Sequence, residues 1–231
     1  MKKLMLVAAL TGASMLAQAG DPVKKLQTEE QQTSYGFGMI FGKRLTTDMP
    51  NIDMDIFVQG LKDGYAGGAT LMTDAELAQM LQRFQQKQRD EQMAQFEKLA
   101  SENKAAGEAF LKENKNKEGV VTLPSGLQYK VLADGSGAKP GPSDTVKVHY
   151  QGSLVSGKVF DSSIERGEPA SVPVNAVIKG WTEALQLMKA GSKWQLYIPS
   201  DLAYGPGGNR SIGPNEVLLF DVELLEVTKK N

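Results

Sequence analysis

The sequence predicts an α+β protein: an all-helical amino-terminal part, one long connecting helix, and a carboxy-terminal antiparallel sheet closed around a single short helix. Three observations carry this. Apolar residues recur at helical spacing between positions 28 and 68; residues 74–117 contain no Pro and one Gly, Gly107; and after Gly119 strict alternation of apolar and polar residues replaces the helical period.

The chain begins with Lys2-Lys3, an apolar run from Leu4 to Leu10 that continues weakly to Leu16, and then Ala17-Gln18-Ala19. A basic start, a short apolar stretch and a small-x-small end describe a secretory signal peptide over residues 1–19. The run is too short and too interrupted by Thr11, Gly12 and Ser14 to span a bilayer. A hydrophobic amino-terminal helix is the competing reading. No later stretch approaches a membrane span, so the remaining chain is expected to be soluble and exported.

Residues 20–72 read as a small helical domain. Thr28 and Gln31 fit a capping box, and Tyr35, Phe37, Met39, Ile40, Phe41 and Leu45 form a broad apolar face. Pro50 breaks that helix, Asn51 or Asp53 can cap the next, and Ile56, Phe57, Val58 and Leu61 carry it to Gly67-Gly68. So few residues cannot enclose a core of their own, so these faces need a partner, and a second copy of the chain is the expected one. Met39, Met49, Met54, Met72, Met80 and Met93 add either adaptable surface or buried packing to it.

Residues 73–118 read as a helical arm started by a second capping box, Thr73 with Glu76. Leu77, Met80, Leu81 and Phe84 keep a stripe, residues 85–92 have no apolar member, and Met93, Phe96 and Leu99 resume it weakly. A helix lying on a globule would keep its stripe, so a free-standing arm is expected. A helix bent or broken near Gly107 and packed on something is the alternative.

Residues 119–231 form the last domain, with six or so strands. In 145–150, Val146, Val148 and Tyr150 share one face and Lys147 and His149 the other; Trp194, Leu196 and Ile198 alternate with Gln195 and Tyr197; Leu218, Phe220, Val222 and Leu224 alternate with Asp221 and Glu223. One amphipathic piece, residues 180–188, supplies the helix. Of the aromatics here, all but Tyr197 fall at positions that point inward or line a mouth.

Composition excludes much chemistry. With no Cys and one His among 231 residues, there is no thiolate nucleophile, no disulfide and no His-rich or Cys-ligated metal site. A net charge of −1 without a basic cluster argues against a nucleic-acid surface. No nucleotide or hydrolase motif is present. His149 lies on the polar face of its strand, where a solvent-side or hydrogen-bonded structural role fits better than that of a base. What remains is an aromatic cluster with Asp161 directly after Phe160 and Tyr204 on a Gly-rich loop, the description of a ligand site.

Five blocks in order, Val148-His149-Tyr150-Gln151-Gly152, Gly157-Lys158-Val159-Phe160-Asp161-Ser162-Ser163, Val177-Ile178-Lys179-Gly180-Trp181, Ala203-Tyr204-Gly205 and Leu219-Phe220-Asp221-Val222-Glu223-Leu224, resemble an FKBP-type peptidyl-prolyl isomerase domain. Ser34-Tyr35-Gly36 to Gly42-Lys43 and Phe57-Val58-Gln59-Gly60-Leu61-Lys62-Asp63 resemble the amino-terminal dimerisation module of the exported Mip/FkpA-type subfamily. The resemblance implies a half-barrel sheet around the Trp181 helix and a prolyl ring held over the Trp181 indole. It implies walls from Tyr150, Phe160, Val177, Ile178, Tyr204, Ile212 and Phe220, and Asp161 as a polar rim group. The Ile178 backbone N–H and the Tyr204 hydroxyl would donate to substrate carbonyls. This chain departs from many members at Pro169-Ala170, where they carry an aromatic wall, and after Tyr204, where Pro206-Gly207-Gly208-Asn209-Arg210 lacks a His.

No cofactor is implied. The expected partners are unfolded or proline-containing exported proteins and a second copy of the chain joined through the amino-terminal helices in a V-shaped dimer. FK506-like macrolides are the expected inhibitors, and the expected compartment is the periplasm, with outer-membrane association as a variant. Three readings of activity are open: an isomerase, a chaperone that needs no isomerisation, and a recognition module with neither activity; the first two are expected together.

Overall fold

The computed structural model describes residues 25–230; the signal-peptide segment, residues 1–19, lies outside them. The chain divides into two compact units, one ending at Leu77 and one starting at Ala78. In the first unit α1 (Glu29–Asp48) begins where the Thr28 hydroxyl accepts the Gln31 N–H at 3.2 Å, and the Gln31 side chain accepts the Gln27 N–H at 2.8 Å. Helix α2 (Met54–Ala66) is capped by Asp53, whose carboxylate accepts from the N–H groups of Asp55 and Ile56, and stops at Gly67 in the left-handed conformation. No residue of either helix is buried, and Tyr35, Phe41, Ile56 and Leu61 are each 60% exposed or more.

Helix α3 (Asp74–Asn114) runs 41 residues, about 60 Å at 1.5 Å per residue, from the Thr73–Glu76 capping box. Its exposed stretch carries Lys87–Glu91 and Lys98–Glu102 pairs, each worth a few tenths of a kcal/mol. Met93, Phe96 and Leu99 are exposed. The helix continues unbroken through Gly107, and its last turns pack on the sheet domain, with Gly107 and Asn114 buried. The break of the alternative reading is therefore absent, and the expectation of a free-standing arm is corrected over these last turns, which lie on the sheet.

The sheet has seven strands: β1 (Val120–Thr122), β2 (Gln128–Ala133), β3 (Thr145–Leu154), β4 (Val159–Ser162), β5 (Ala170–Pro173), β6 (Lys193–Ile198) and β7 (Leu218–Thr228). All pairings are antiparallel in the order β1-β2-β6-β7-β3-β4, and β5 shares the outer edge of β3 with β4. The predicted alternation holds: Val146, Val148, Leu196, Ile198, Leu218, Val222 and Leu224 have no exposed surface. Against that face packs α4 (Lys179–Leu187), burying Trp181, Ala184 and Leu185.

Tyr197 corrects the sequence reading. Alternation puts it on the outer face of β6, yet it is only 6% exposed, because Phe110 of α3 meets it at a ring separation of 6.0 Å. Beside it the Asn114 amide donates to Gln128, whose own amide donates to the Leu111 carbonyl. Part of the outer face of the sheet is thus also an interior surface, covered by α3.

Candidate functional site

The concave face of the sheet ends in a cavity of about 450 Å³ lined by Tyr150, Phe160, Asp161, Val172, Ala176, Val177, Ile178, Trp181, Ala203, Tyr204 and Phe220. Four rings form its wall and floor. Tyr150 and Phe220 each stand edge-on to Trp181 at 5.2 Å, and Phe160 stands edge-on to Phe220 at 5.5 Å. Edge-to-face contact satisfies the ring quadrupoles and holds each ring against its neighbour. Trp181 is 5% exposed, and its indole N–H has no hydrogen-bond partner among the described residues.

Local sequence positions these rings. In β3, Gly152 pairs with Asp161 on one side and Phe220 on the other; a Cβ there would lie 2.6 Å from the Phe220 ring and 2.7 Å from the Phe160 ring. Only a residue without a side chain lets both rings close over that strand. The edge of β3 changes partner from β5 to β4 near Tyr150, and Ser163 covers the change. Its N–H donates to the Tyr150 carbonyl at 3.0 Å, and its hydroxyl accepts the Tyr150 N–H at 2.8 Å. His149 meets the same hydroxyl through Nδ1 at 3.1 Å and does not line the cavity, in keeping with a structural role.

The rim is ionic. The Tyr150 hydroxyl donates to Asp161 at 2.6 Å, and Arg166 donates both to the other Asp161 oxygen and, at 3.0 Å, to the Tyr150 oxygen. Burial pushes the Asp161 carboxyl up, but the hydrogen bonds from Tyr150 and Arg166 outweigh it and leave its pKa below the usual carboxylate value. Burial and the adjacent carboxylate push the Tyr150 phenol up. Asp161 is therefore held ionised and Tyr150 protonated.

The backbone around Ile178 is the amino-terminal cap of α4, and among the described residues no acceptor takes its N–H. Tyr204 is 43% exposed, and its hydroxyl likewise has no partner among them. The cavity thus offers two unpaired donors beside an apolar floor. Among the described residues no cluster of three or more His, Asp or Glu is arranged to hold a metal ion.

Of the nine residues singled out in the sequence, Tyr150, Phe160, Asp161, Val177, Ile178, Trp181, Tyr204 and Phe220 meet at this cavity. Ile212 does not line it; it is 4% exposed and sits in the core cluster, where its N–H donates to the Asn209 side chain and its carbonyl accepts the Asn209 N–H. Sequence reasoning missed Arg166, Val172, Ala176, Ala203 and Ser163. A charge complementary to Asp161 within one loop was a signal for Arg166; the small apolar residues carry none.

Comparison with known proteins adds three findings. Residues 30–131 match the family described as the domain amino terminal to FKBP-type peptidyl-prolyl isomerase, and residues 136–225 match FKBP-type peptidyl-prolyl cis-trans isomerase. The chain is 46% identical to the outer membrane protein MIP of Legionella longbeachae over 99% of both chains, and 44% identical to the peptidyl-prolyl cis-trans isomerase Mip of Coxiella burnetii over the whole of both. Among solved structures it is similar to FkpA from Escherichia coli, with a TM-score of 0.78 and 37% identity over 88% of this chain and 99% of that one.

Proposed function

Because the chain belongs to the family of FKBP-type peptidyl-prolyl cis-trans isomerases, we propose that the aromatic cavity is where it rotates X-Pro bonds. The observation that carries the reading is the edge-to-face cage of Tyr150, Phe160, Trp181 and Phe220 with an ionised Asp161 held at its rim. Rotation about X-Pro is slow because amide resonance sets a barrier of about 18–20 kcal/mol. At the twisted transition state resonance is lost and the carbonyl is less polar, so transfer from water to an apolar cage favours the twisted form over the planar one. The Ile178 N–H and the Tyr204 hydroxyl hold the substrate carbonyls. Val177 forms wall, and Ile212 supports the Tyr204 loop from the core. Each tenfold in rate requires about 1.4 kcal/mol, within reach of desolvation and one or two oriented hydrogen bonds. No nucleophile or cofactor enters.

A protease-coupled assay on a prolyl tetrapeptide tests this. Phe160→Ala and Asp161→Ala should each lower kcat/KM by about tenfold to a hundredfold, with an unchanged circular dichroism spectrum. Equal activity in wild type and both variants would move the reaction elsewhere.

The rest of the reading is organisational. Residues 20–72 act as a dimerisation domain through the uncovered faces of α1 and α2, residues 73–118 as an arm, and residues 119–231 as the isomerase domain. The exposed Met93, Phe96 and Leu99 on α3 support a second, chaperone activity toward unfolded proteins. The first 19 residues act as the export signal, with the periplasm or its outer membrane as destination; among the described residues no helix is long and apolar enough to cross a membrane. Proline-containing exported proteins are the clients and FK506-like macrolides the inhibitors.

A further inference from the structure

Tyr204 is 43% exposed, far more than Trp181 or Phe220, and among the described residues its hydroxyl has no partner, so no side-chain hydrogen bond fixes where that hydroxyl points. The loop that follows it spans residues 205–217. The middle of this loop is closed on itself: the Asn209 side chain accepts the N–H groups of Ser211 and Ile212, and the Asn209 N–H donates to the Ile212 carbonyl. Its stem is held differently. The Asn215 N–H donates to the Gly205 carbonyl at 2.9 Å, gripping the Gly205–Pro206 peptide one residue beyond Tyr204.

Asn215 in turn is tied to α3. Its amide donates to the Ala100 carbonyl at 3.1 Å, and the Asn103 amide donates back to the Pro214 carbonyl at 2.8 Å. Two reciprocal amide bonds therefore join one helical turn to two consecutive loop residues. Asn215 has φ +56, a conformation that Asn tolerates better than most side chains and that aims its N–H and its amide at separate partners. The close approach depends on Gly107, where a Cβ would lie 2.6 Å from Val217 Cγ2 at the other end of the loop stem.

We propose that the last turns of α3 position Tyr204, with Asn103 and Asn215 as positioning residues of the isomerase site acting through the Gly205 peptide. This rests on the cavity being that site. It makes the arm part of the catalytic apparatus as well as a spacer, because α3 reaches the Tyr204 loop through defined hydrogen bonds.

A double-mutant cycle in the full chain tests it, reading kcat/KM on a prolyl tetrapeptide for wild type, N103A, N215G, Y204F and the two doubles with Y204F. N215G keeps a residue at ease with positive φ and removes the amide. N103A and N215G should each lower kcat/KM about three- to tenfold in the wild-type background, since misplacement of a contacting group by a fraction of an ångström is felt in the rate. In the Y204F background, where there is no hydroxyl to misplace, each should change it less than about 1.5-fold. Asn103→Asp, which keeps the volume and loses the donor, should match N103A and carries the test if the alanine variant melts early. Equal fold-losses in both backgrounds, or no loss from any of the three variants, overturn the inference while leaving the site reading intact. An inactive wild type overturns both.

Discussion

Asp161, Tyr150 and Arg166 form a unit whose charges are fixed by one another. A carboxylate that accepts from a phenol and a guanidinium keeps its negative charge below the normal carboxylate range, and the phenol keeps its proton above the normal phenol range. Neither group therefore changes state between about pH 5 and 9. Among the described residues the His149 ring hydrogen-bonds to the Ser163 hydroxyl alone, and it does not line the cavity. The expected result is a kcat/KM on a prolyl peptide that is flat across that interval, falling only at a pH below that of an ordinary carboxylate. A bell-shaped profile would put an ionising group into the reaction and contradict catalysis by desolvation. Tyr150, Phe160, Asp161, Trp181, Tyr204 and Phe220 were legible in the sequence because aromatic residues and a carboxylate stand out against strands that are otherwise aliphatic. Arg166 and Ser163 were not, since one is an ordinary surface-type residue and the other a common hydroxyl, and their roles exist only once β3 changes its edge partner beside them.

The strands and helices owe their boundaries to local chemistry, but some are held by contacts far apart in sequence. Asp144, at the entry to β3, is 6% exposed and accepts from Lys229 Nζ at 2.8 Å, the Gly141 N–H at 2.6 Å and the Lys230 N–H at 3.1 Å. The Lys229 hydrogen bond, followed by the two backbone donors, lowers its pKa from 3.8 to about 2. A depressed native carboxylate stabilises the fold above its unfolded pKa, and that contribution disappears as the pH falls through the native value. Asp144→Asn should therefore lower the thermal midpoint near pH 7, and the gap from wild type should close between about pH 4 and 2. A gap independent of pH would mean that shape, and not charge, matters at this position. Both capping boxes, the Asp53 cap and the Gly67 stop were readable because each depends on residues within a few positions. The burial of Tyr197 was not, because the helix that covers it lies more than eighty residues earlier.

The amino-terminal helices leave a broad apolar surface that nothing among the described residues of the first unit covers. Burying aliphatic and aromatic side chains of this kind stabilises by about 25 cal/mol per Å², which makes a self-complementary contact between two copies the natural way to cover them. The full chain should sediment as a dimer, and Leu61→Asp should give a monomer whose activity on a tetrapeptide matches wild type. A monomeric wild type, or a variant that stays dimeric, would separate these faces from assembly. If the proposed chaperone activity is separate from isomerisation, the F160A variant should still suppress aggregation of a proline-free client, and loss of that suppression would contradict it.

Residues 28–68, the long Pro-free run and the alternation after Gly119 contained the α+β organisation, because period, caps and turn residues act over short distances, while the eight cavity-lining candidates came from the five blocks that resemble an FKBP-type domain. Which surfaces are covered was another matter. That Ile212 turns into the core, that Tyr197 lies beneath α3, and that Asn103 and Asn215 clasp across the sequence follow from packing between segments up to 115 residues apart. Periodicity along one strand or helix says which face is apolar; it carries no information about what will lie against the other.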